Sequence, residues 1–332
     1  MACSNNFLTQ QNILLVKNLI DRNTPCEQMV KLTSLNEEQL REIFVRLRKK
    51  HLYRVYMGHS FLDSSFCNKE EYIKQMNYAD GIYTDKQILK ILFCADMHLC
   101  SDKDRPDLVD KVWDTAAEQS IEHIVNLGDV TEGTEYHIHN CGTNQIKIEP
   151  TLDSQITYLH HNIPQDHLIK HHILQGNHDQ YSNDAVSIDL VKEIHDRFDR
   201  KDIICSGMED AILPVNNDFI HLLHRPFYDF VRHYIKQYEG AEENQIMFCG
   251  HAHISKTITD KGYTVEYIPP LCDLQRGNGD YENFTGFAIA TLYFDIVGKI
   301  YYCIVQKYRF DEYYSKPVIY EEHEINVRRV RK

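Results

Sequence analysis

Between residues 96 and 253 the chain carries aspartate, asparagine and histidine in five short clusters: Asp96-Met97-His98, Gly128-Asp129, Gly176-Asn177-His178-Asp179, His224 and Gly250-His251-Ala252-His253. One such residue says little, because a single histidine is more often a hydrogen-bonded core side chain than a ligand. Five clusters in order, three of them introduced by glycine, are hard to explain by packing, since glycine marks sharp turns or close backbone approach. The inventory is two Asp, one Asn and four His, with His178 in addition. It is mixed oxygen and nitrogen, without a thiolate. Such a set suits two divalent cations sharing one carboxylate, Mn2+ first, with Fe, Zn, Co or Ni as substitutes. Two cations about 3.5–4 Å apart acidify a water and clamp the attacking and leaving oxygens. The chemistry this permits is hydrolysis of a phosphate ester at neutral pH.

The elements that must position these residues are short apolar strands. Ile88–Cys94 leads into Asp96, His123–Leu127 into Asp129, His171–Leu174 into Asn177, Phe219–Leu223 into His224, and Ile246–Cys249 into His251. Further strands are expected at Ile203–Cys205 and Ala211–Val215. Helices are expected from Pro106 through Ala116, at Ala185–Phe198 and at Tyr228–Tyr238. Strand after strand ending in a polar residue indicates an α/β domain with its site at the strand carboxyl ends. Gly286–Phe294 and Lys299–Phe310 alternate around Val297-Gly298, as an edge hairpin closing a second sheet would.

The five motifs resemble those of the calcineurin-like metallophosphoesterase superfamily, in the right order, over roughly residues 88–310. That resemblance implies a four-layer α/β/β/α sandwich. It implies one cation held by Asp96, His98, Asp129 and His253, and a second held by Asp129 as bridge, Asn177, His224 and His251. His178 would then act on the phosphate as a catalytic group rather than a ligand, and Asp179 would orient it as a second carboxylate. His221 competes with His224, which is preferred because an apolar residue precedes it and Pro226 follows in the family's manner. Protein Ser/Thr phosphatases carry Gly-Asp-x-Val-Asp-Arg-Gly; here Gly128-Asp129-Val130-Thr131-Glu132-Gly133 lacks that arginine. The chain is closer to the repair-nuclease and bacterial phosphodiesterase branches.

Residues 1–67 have a different pattern: short amphipathic helices at Thr9–Ile20 and after Thr24-Pro25, then a third capped by Asn36 with Gln39 at the capping-box position. This resembles a small all-α helix-turn-helix domain. From Lys31 to Tyr56 there are seven Lys/Arg against three Glu, within a chain of net charge -13. Arg41, Arg46, Arg48, Lys49 and Lys50 are therefore the candidates for contact with DNA or RNA. The overall acidity excludes a protein coated with nucleic acid but allows a local basic patch. Residues 68–87 are polar and read as a connector, and 88–332 as the metallophosphoesterase domain.

Other features surround the motifs. The stretch after Asp129 holds Glu132, Glu135, His137, His139, Asn140 and Cys141, either a substrate-reading loop or a solvated one. Arg276, in a Gly-rich stretch, could reach a phosphate oxygen. His160, His161, His167, His171 and His172 read as helix-surface or strand-edge residues. The basic tail Arg328–Lys332 could help hold an anionic polymer.

Ten scattered cysteines without a Cys-x-x-Cys pair, no leader-like start and no apolar run long enough to span a bilayer point to a reducing cytoplasm and no membrane partner. The expected function is a binuclear phosphodiesterase acting on nucleic acid. The alternatives are a small-molecule phosphoesterase with a regulatory or assembly module, and a non-catalytic DNA-binding protein on a phosphoesterase scaffold.

Overall fold

The computed structural model describes residues 81–133, 146–148, 151–179, 190–225, 244–273, 284–310 and 316–327, together with 26–36 and scattered positions between 9 and 43. The chain divides into two compact units, Met1–Met76 and Asn77–Lys332. In the first, helix α1 (Cys26–Thr33) has its Met29 buried, as are Val16, Leu19, Leu35, Leu40 and Ile43. The expected capping box is formed: Gln39 N donates to Asn36 Oδ1 at 2.9 Å, and Asn36 N donates to Gln39 Oε1 at 3.0 Å. The basic residues Arg41, Arg46, Arg48, Lys49 and Lys50 lie outside the described residues, as do Arg276, the stretch 134–145, the expected helix at 228–238 and the tail 328–332.

The described residues of the second unit form twelve strands. They are β1 (Ile88–Cys94), β2 (His123–Asn126), β3 (Lys170–Gln175), β4 (Ile203–Met208), β5 (Asp210–Val215), β6 (Asp218–His224), β7 (Gln245–Gly250), β8 (Lys256–Asp260), β9 (Tyr263–Tyr267), β10 (Gly286–Phe294), β11 (Ile300–Arg309) and β12 (Val318–Asn326). Hydrogen bonding runs through all twelve in the order β12-β11-β10-β1-β2-β3-β4-β5-β6-β7-β9-β8. Between β4 and β5 it depends on the single pair Met208↔Asp210, either side of Glu209 at φ 61°. There the sheet turns over into two facing layers.

The layers meet along one apolar core. Leu89, Ile91 and Phe93 of β1, with Ala288, Ala290 and Leu292 of β10, face Leu213, Ile220, Leu222 and Phe248 of the second layer. The Phe93 and Phe248 rings stack with centroids 3.8 Å apart, a contact worth about 0.5–1.5 kcal/mol beyond area burial. The opposite face of the first layer is covered by α2 (Pro106–Glu118), α3 (Leu152–Asn162) and α4 (Leu190–Phe198). Pro106 opens α2, where its missing N–H costs nothing. Thr151 caps α3, accepting from Ser154 N at 3.2 Å. The outer face of the second layer has its own core of Leu223, Met247, Tyr263, Val265 and Tyr267.

Several expectations are corrected. The hairpin 286–310 does not close the second layer: β10 pairs antiparallel with β1 in the first, and β12 lies outside β11 as the edge strand. The β8–β9 hairpin and β12 were not anticipated. Within residues 68–87, Ile82 is buried and pairs with Val215 of β5. His171 and His172 are not at a strand edge; β3 lies between β2 and β4, and both rings are buried, which pushes each imidazole down to about 3.

A lysine–carboxylate ion pair lies between the layers. Lys307 Nζ of β11 is fully buried, 2.8 Å from the Glu266 carboxylate of β9 and 2.9 Å from Thr257 Oγ1 of β8. It ties β11 to the β8–β9 hairpin, far in strand order from the β4–β5 turn. Breaking such a pair leaves a buried charge, so Lys307→Met is expected to cost about 3–5 kcal/mol, whereas replacing both partners with apolar residues should recover most of that. Denaturant unfolding of Lys307→Met, Glu266→Leu and the double variant checks this; a loss under about 1 kcal/mol in the single variants contradicts it.

Candidate metal centre

β1, β2, β3 and β4 run parallel, as do β6 and β7, so their carboxyl ends open on one side of the sandwich. Just past those ends the backbone turns through the left-handed region at Asp96 (φ 52°), His98 (φ 43°), Asp129 (φ 52°), His251 (φ 73°) and His253 (φ 53°). Asp and His enter this region more readily than most side chains, but each still costs on the order of 1 kcal/mol. The loops after β1 and β2 are laced together: Asp96 N, His98 N and Leu99 N donate to the carbonyls of Gly128, Asp129 and Val130 at 2.9–3.0 Å.

Three glycines make room for one imidazole. A Cβ on Gly128 (φ 104°) would lie 2.2 Å from His224 Nδ1, and one on Gly176 would lie 2.2 Å from Asp129 Oδ1 and 2.8 Å from His224 Nε2. A Cβ on Gly250 would lie 2.6 Å from the Leu127 carbonyl and 3.2 Å from His224 Nδ1. The glycines of three separate motifs thus serve a single close approach.

Asp129 is the meeting point. Its carboxylate lies 3.1 Å from His224 Nε2, 3.7 Å from His98 Nε2 and 4.0 Å from His178 Nε2, and accepts from His178 N at 2.9 Å. Beside it, His98 Nε2 and His253 Nε2 face each other at 3.2 Å, and His253 Nε2 is 3.5 Å from Asp96. On the other side, His224 Nε2 is 3.2 Å from His251 Nδ1 and 3.1 Å from Asn177 Oδ1. His224 Nδ1 donates to the Leu127 carbonyl at 2.6 Å, which directs Nε2 into the cluster. His221 lies on Gln245 instead, 3.3 Å away, so the structure brings His224, not His221, to this group.

Two donor sets result, Asp96–His98–Asp129 and Asp129–His224–His251, each with its ligand atoms within 4.8 Å of one another. Paired ring nitrogens converging beside a shared carboxylate are the geometry a cation fits. The electrostatics agree. Burial alone would raise the Asp129 carboxyl, but His224, His178 and His98 hold it well below the usual carboxylate range. Burial would lower His224, yet Asp129 and Asp96 push it up to about 9. Burial drives His98 down despite its hydrogen bond to Glu132.

Two expectations about neighbouring side chains change. Asp179 accepts from Gly176 N (2.8 Å), Thr131 N (3.1 Å) and Val130 N (3.3 Å), bolting the β2 and β3 loops together. The orienting partner at His178 Nδ1 is the carbonyl of Glu132, 2.9 Å away. The Asp179 carboxyl is pushed up to about 6 by burial and by Asp129. Glu132, at the start of a stretch that could have been a solvated loop, is instead buried, with Oε2 2.8 Å from His98 Nδ1. A carboxylate behind an imidazole fixes its tautomer and strengthens it as a ligand. The available signal was its place three residues after Asp129. The set is also not free of sulfur: Cys272 lies with His98 and His253.

The glycine geometry yields a test. Gly128→Ala and Gly176→Ala should each displace His224 and cost about 2 kcal/mol or more, through overpacking and, at Gly128, a strained φ. Thermal unfolding and the histidine ring signals in NMR check this; wild-type stability with an unmoved His224 signal contradicts it.

A search of the curated proteins finds no match. Among solved structures, the chain is similar to Vacuolar Protein Sorting 29 from Cryptosporidium parvum, at 12% identity and TM-score 0.41, covering 73% of this chain and 100% of that one. It is similar to a conserved uncharacterized protein of Streptococcus pneumoniae TIGR4 described as a predicted phosphoesterase, at 13% identity and TM-score 0.40, covering 73% and 99%. It is also similar to an archaeal phosphodiesterase, at 12% identity and TM-score 0.38, covering 72% and 99%. Residues 89–281, which contain all five motifs, match the calcineurin-like phosphoesterase family, and the chain belongs to it.

Proposed function

We propose that the protein is a binuclear metal-dependent phosphoesterase that hydrolyses phosphate esters, phosphodiesters in nucleic acid foremost. The observation that carries the hydrolytic reading is the placing of Asp129 between two converging donor sets. Asp96, His98, Asp129 and His253 would hold one divalent cation, and Asp129, Asn177, His224 and His251 the other, with Mn2+ as the expected pair. When bound, such cations neutralise phosphate charge and acidify the attacking water.

The chain's own groups do the rest. The Glu132 carbonyl holds His178 by Nδ1, leaving Nε2 turned toward Asp129 and the donor sets. From there Nε2 can donate to a phosphate oxygen or protonate the leaving oxygen. Glu132 and the Leu127 carbonyl fix the rings of His98 and His224. Asp179 keeps the loops bearing Asp129 and Asn177 in register.

The nucleic-acid substrate rests on the helix-turn-helix-like module of residues 1–67, joined by 68–87 to the phosphoesterase domain at 88–332, with its seven Lys/Arg between Lys31 and Tyr56. Arg41, Arg46, Arg48, Lys49 and Lys50 would contact the polymer, and Arg276 a phosphate oxygen.

With Mn2+ present, bis-p-nitrophenyl phosphate, p-nitrophenyl phosphate, and single- and double-stranded DNA and RNA should be compared. Cleavage of a nucleic acid that weakens when the five basic residues are changed to Ala supports this reading. Turnover of small esters alone favours a small-molecule phosphoesterase. Asp129→Asn is expected to lose bound metal as well as rate. His178→Asn should keep its metal, measured by elemental analysis, and lose about 10²–10⁴-fold in turnover; wild-type turnover in His178→Asn contradicts its role.

A further inference from the structure

Cys272 stands outside the five motifs, 19 residues after His253, yet its sulfur, His98 and His253 place one ligand atom each within a 4.8 Å group. All three side chains are buried. The two imidazoles approach each other through Nε2 at 3.2 Å, with the thiol in the same group. Main-chain bonds fix the backbone that carries the sulfur. Leu271 N donates to the Ala95 carbonyl at 2.9 Å, Asp273 N donates to the Lys103 carbonyl at 2.8 Å, and Cys272 bridges Asp104. The segment carrying the thiol is thereby strapped to the same loop that presents Asp96 and His98.

Cys94 Sγ faces the Val125 carbonyl at 3.9 Å, Cys249 Sγ faces the carbonyls of Arg225 and Gly250 at 3.8 and 3.4 Å, and the Thr131 hydroxyl lies 3.9 Å from Cys100 Sγ.

We propose that Cys272 supplies a sulfur donor to the cation held by His98 and His253, and so biases that position toward thiophilic cations such as zinc, iron(II) or cobalt. The inference rests on the two-cation reading above and deepens it. Imidazole and carboxylate alone leave manganese competitive, whereas one thiolate beside two imidazoles favours softer cations. The second position, formed around His224 and His251, keeps its oxygen and nitrogen set. The two positions then differ in hardness: with Mn2+ alone both fill with manganese, and where a thiophilic cation competes the chain selects a mixed pair.

The test uses the full chain, stripped of metal by chelation and titrated with Co2+. Wild type is expected to show the visible bands of cobalt bound by imidazole together with a near-ultraviolet sulfur-to-cobalt charge-transfer band. Cys272→Ser should keep the cobalt uptake and the visible bands and lose the charge-transfer band. In competition, Cys272→Ser should shift preference from zinc toward manganese by roughly tenfold or more. Cobalt uptake without a charge-transfer band in wild type, or a band that survives in Cys272→Ser, overturns the assignment of Cys272 and leaves the metal reading standing. Absence of cobalt uptake overturns both.

Discussion

The Asp129 carboxylate is 1% exposed yet surrounded by the imidazoles of His98, His178 and His224. A charge this deep is tolerable only where compensating charge and hydrogen bonds are close. Meeting that condition shapes the loops around it. Asp129 itself sits at positive φ, as do four other residues of the cluster, and Gly128, Gly176 and Gly250 give up their side chains so that His224 can come within 3.1 Å. With protein groups alone, His224 balances Asp129 as a cation, raised to about 9. A metal ion held there would take over the role of that proton, so the proposed metal binding would release a proton and strengthen as pH rises toward that value.

The sandwich makes that crowding sustainable. His224 and His251 come from the second layer, whereas Asp96, Asp129 and Asn177 come from the first. The two halves of the cluster therefore keep their spacing only while the layers keep theirs. The layers are joined by the turn at Glu209, by the apolar core with Phe93 on Phe248, and by Lys307 on Glu266 toward the β8–β9 side. The loops are braced locally by Asp179, which accepts from both the β2 and the β3 loop. The three backbone N–H bonds it accepts partly offset the burial and the Asp129 charge that push its carboxyl up to about 6.

The sequence was most legible where a buried strand runs into a polar residue. β1 and β10 were placed end to end, and β2, β3, β6 and β7 within a residue or two, because their apolar runs stop at Gly, Asp or His. β8, β9 and β12 carry no such mark in the sequence, for the opposite reason. β12 reads Val318-Ile319-Tyr320-Glu321-Glu322-His323-Glu324, an edge strand whose charges interrupt any alternation. The pairing of β10 with β1 is a long-range contact that local pattern does not encode. In the site, the motif residues were recognisable from type and spacing. Glu132, Cys272 and the bracing work of Asp179 were not, because each depends on which loops meet, and loops that meet across a sheet leave no periodic trace. The capping box at Asn36 and Gln39 was legible because it is wholly local.

Family membership establishes the scaffold and is consistent with metal-dependent phosphoester hydrolysis, for which the proposed location in this chain is the Asp129 carboxylate between its two donor sets. The most direct measurement is anomalous diffraction from crystals of the full chain grown with Mn2+, collected at the manganese edge. The account predicts two peaks about 3.5–4 Å apart, flanking Asp129, one toward His98 and His253 and the other toward His224 and His251. A single peak away from Asp129, or none in crystals where the ring nitrogens still converge, would contradict it.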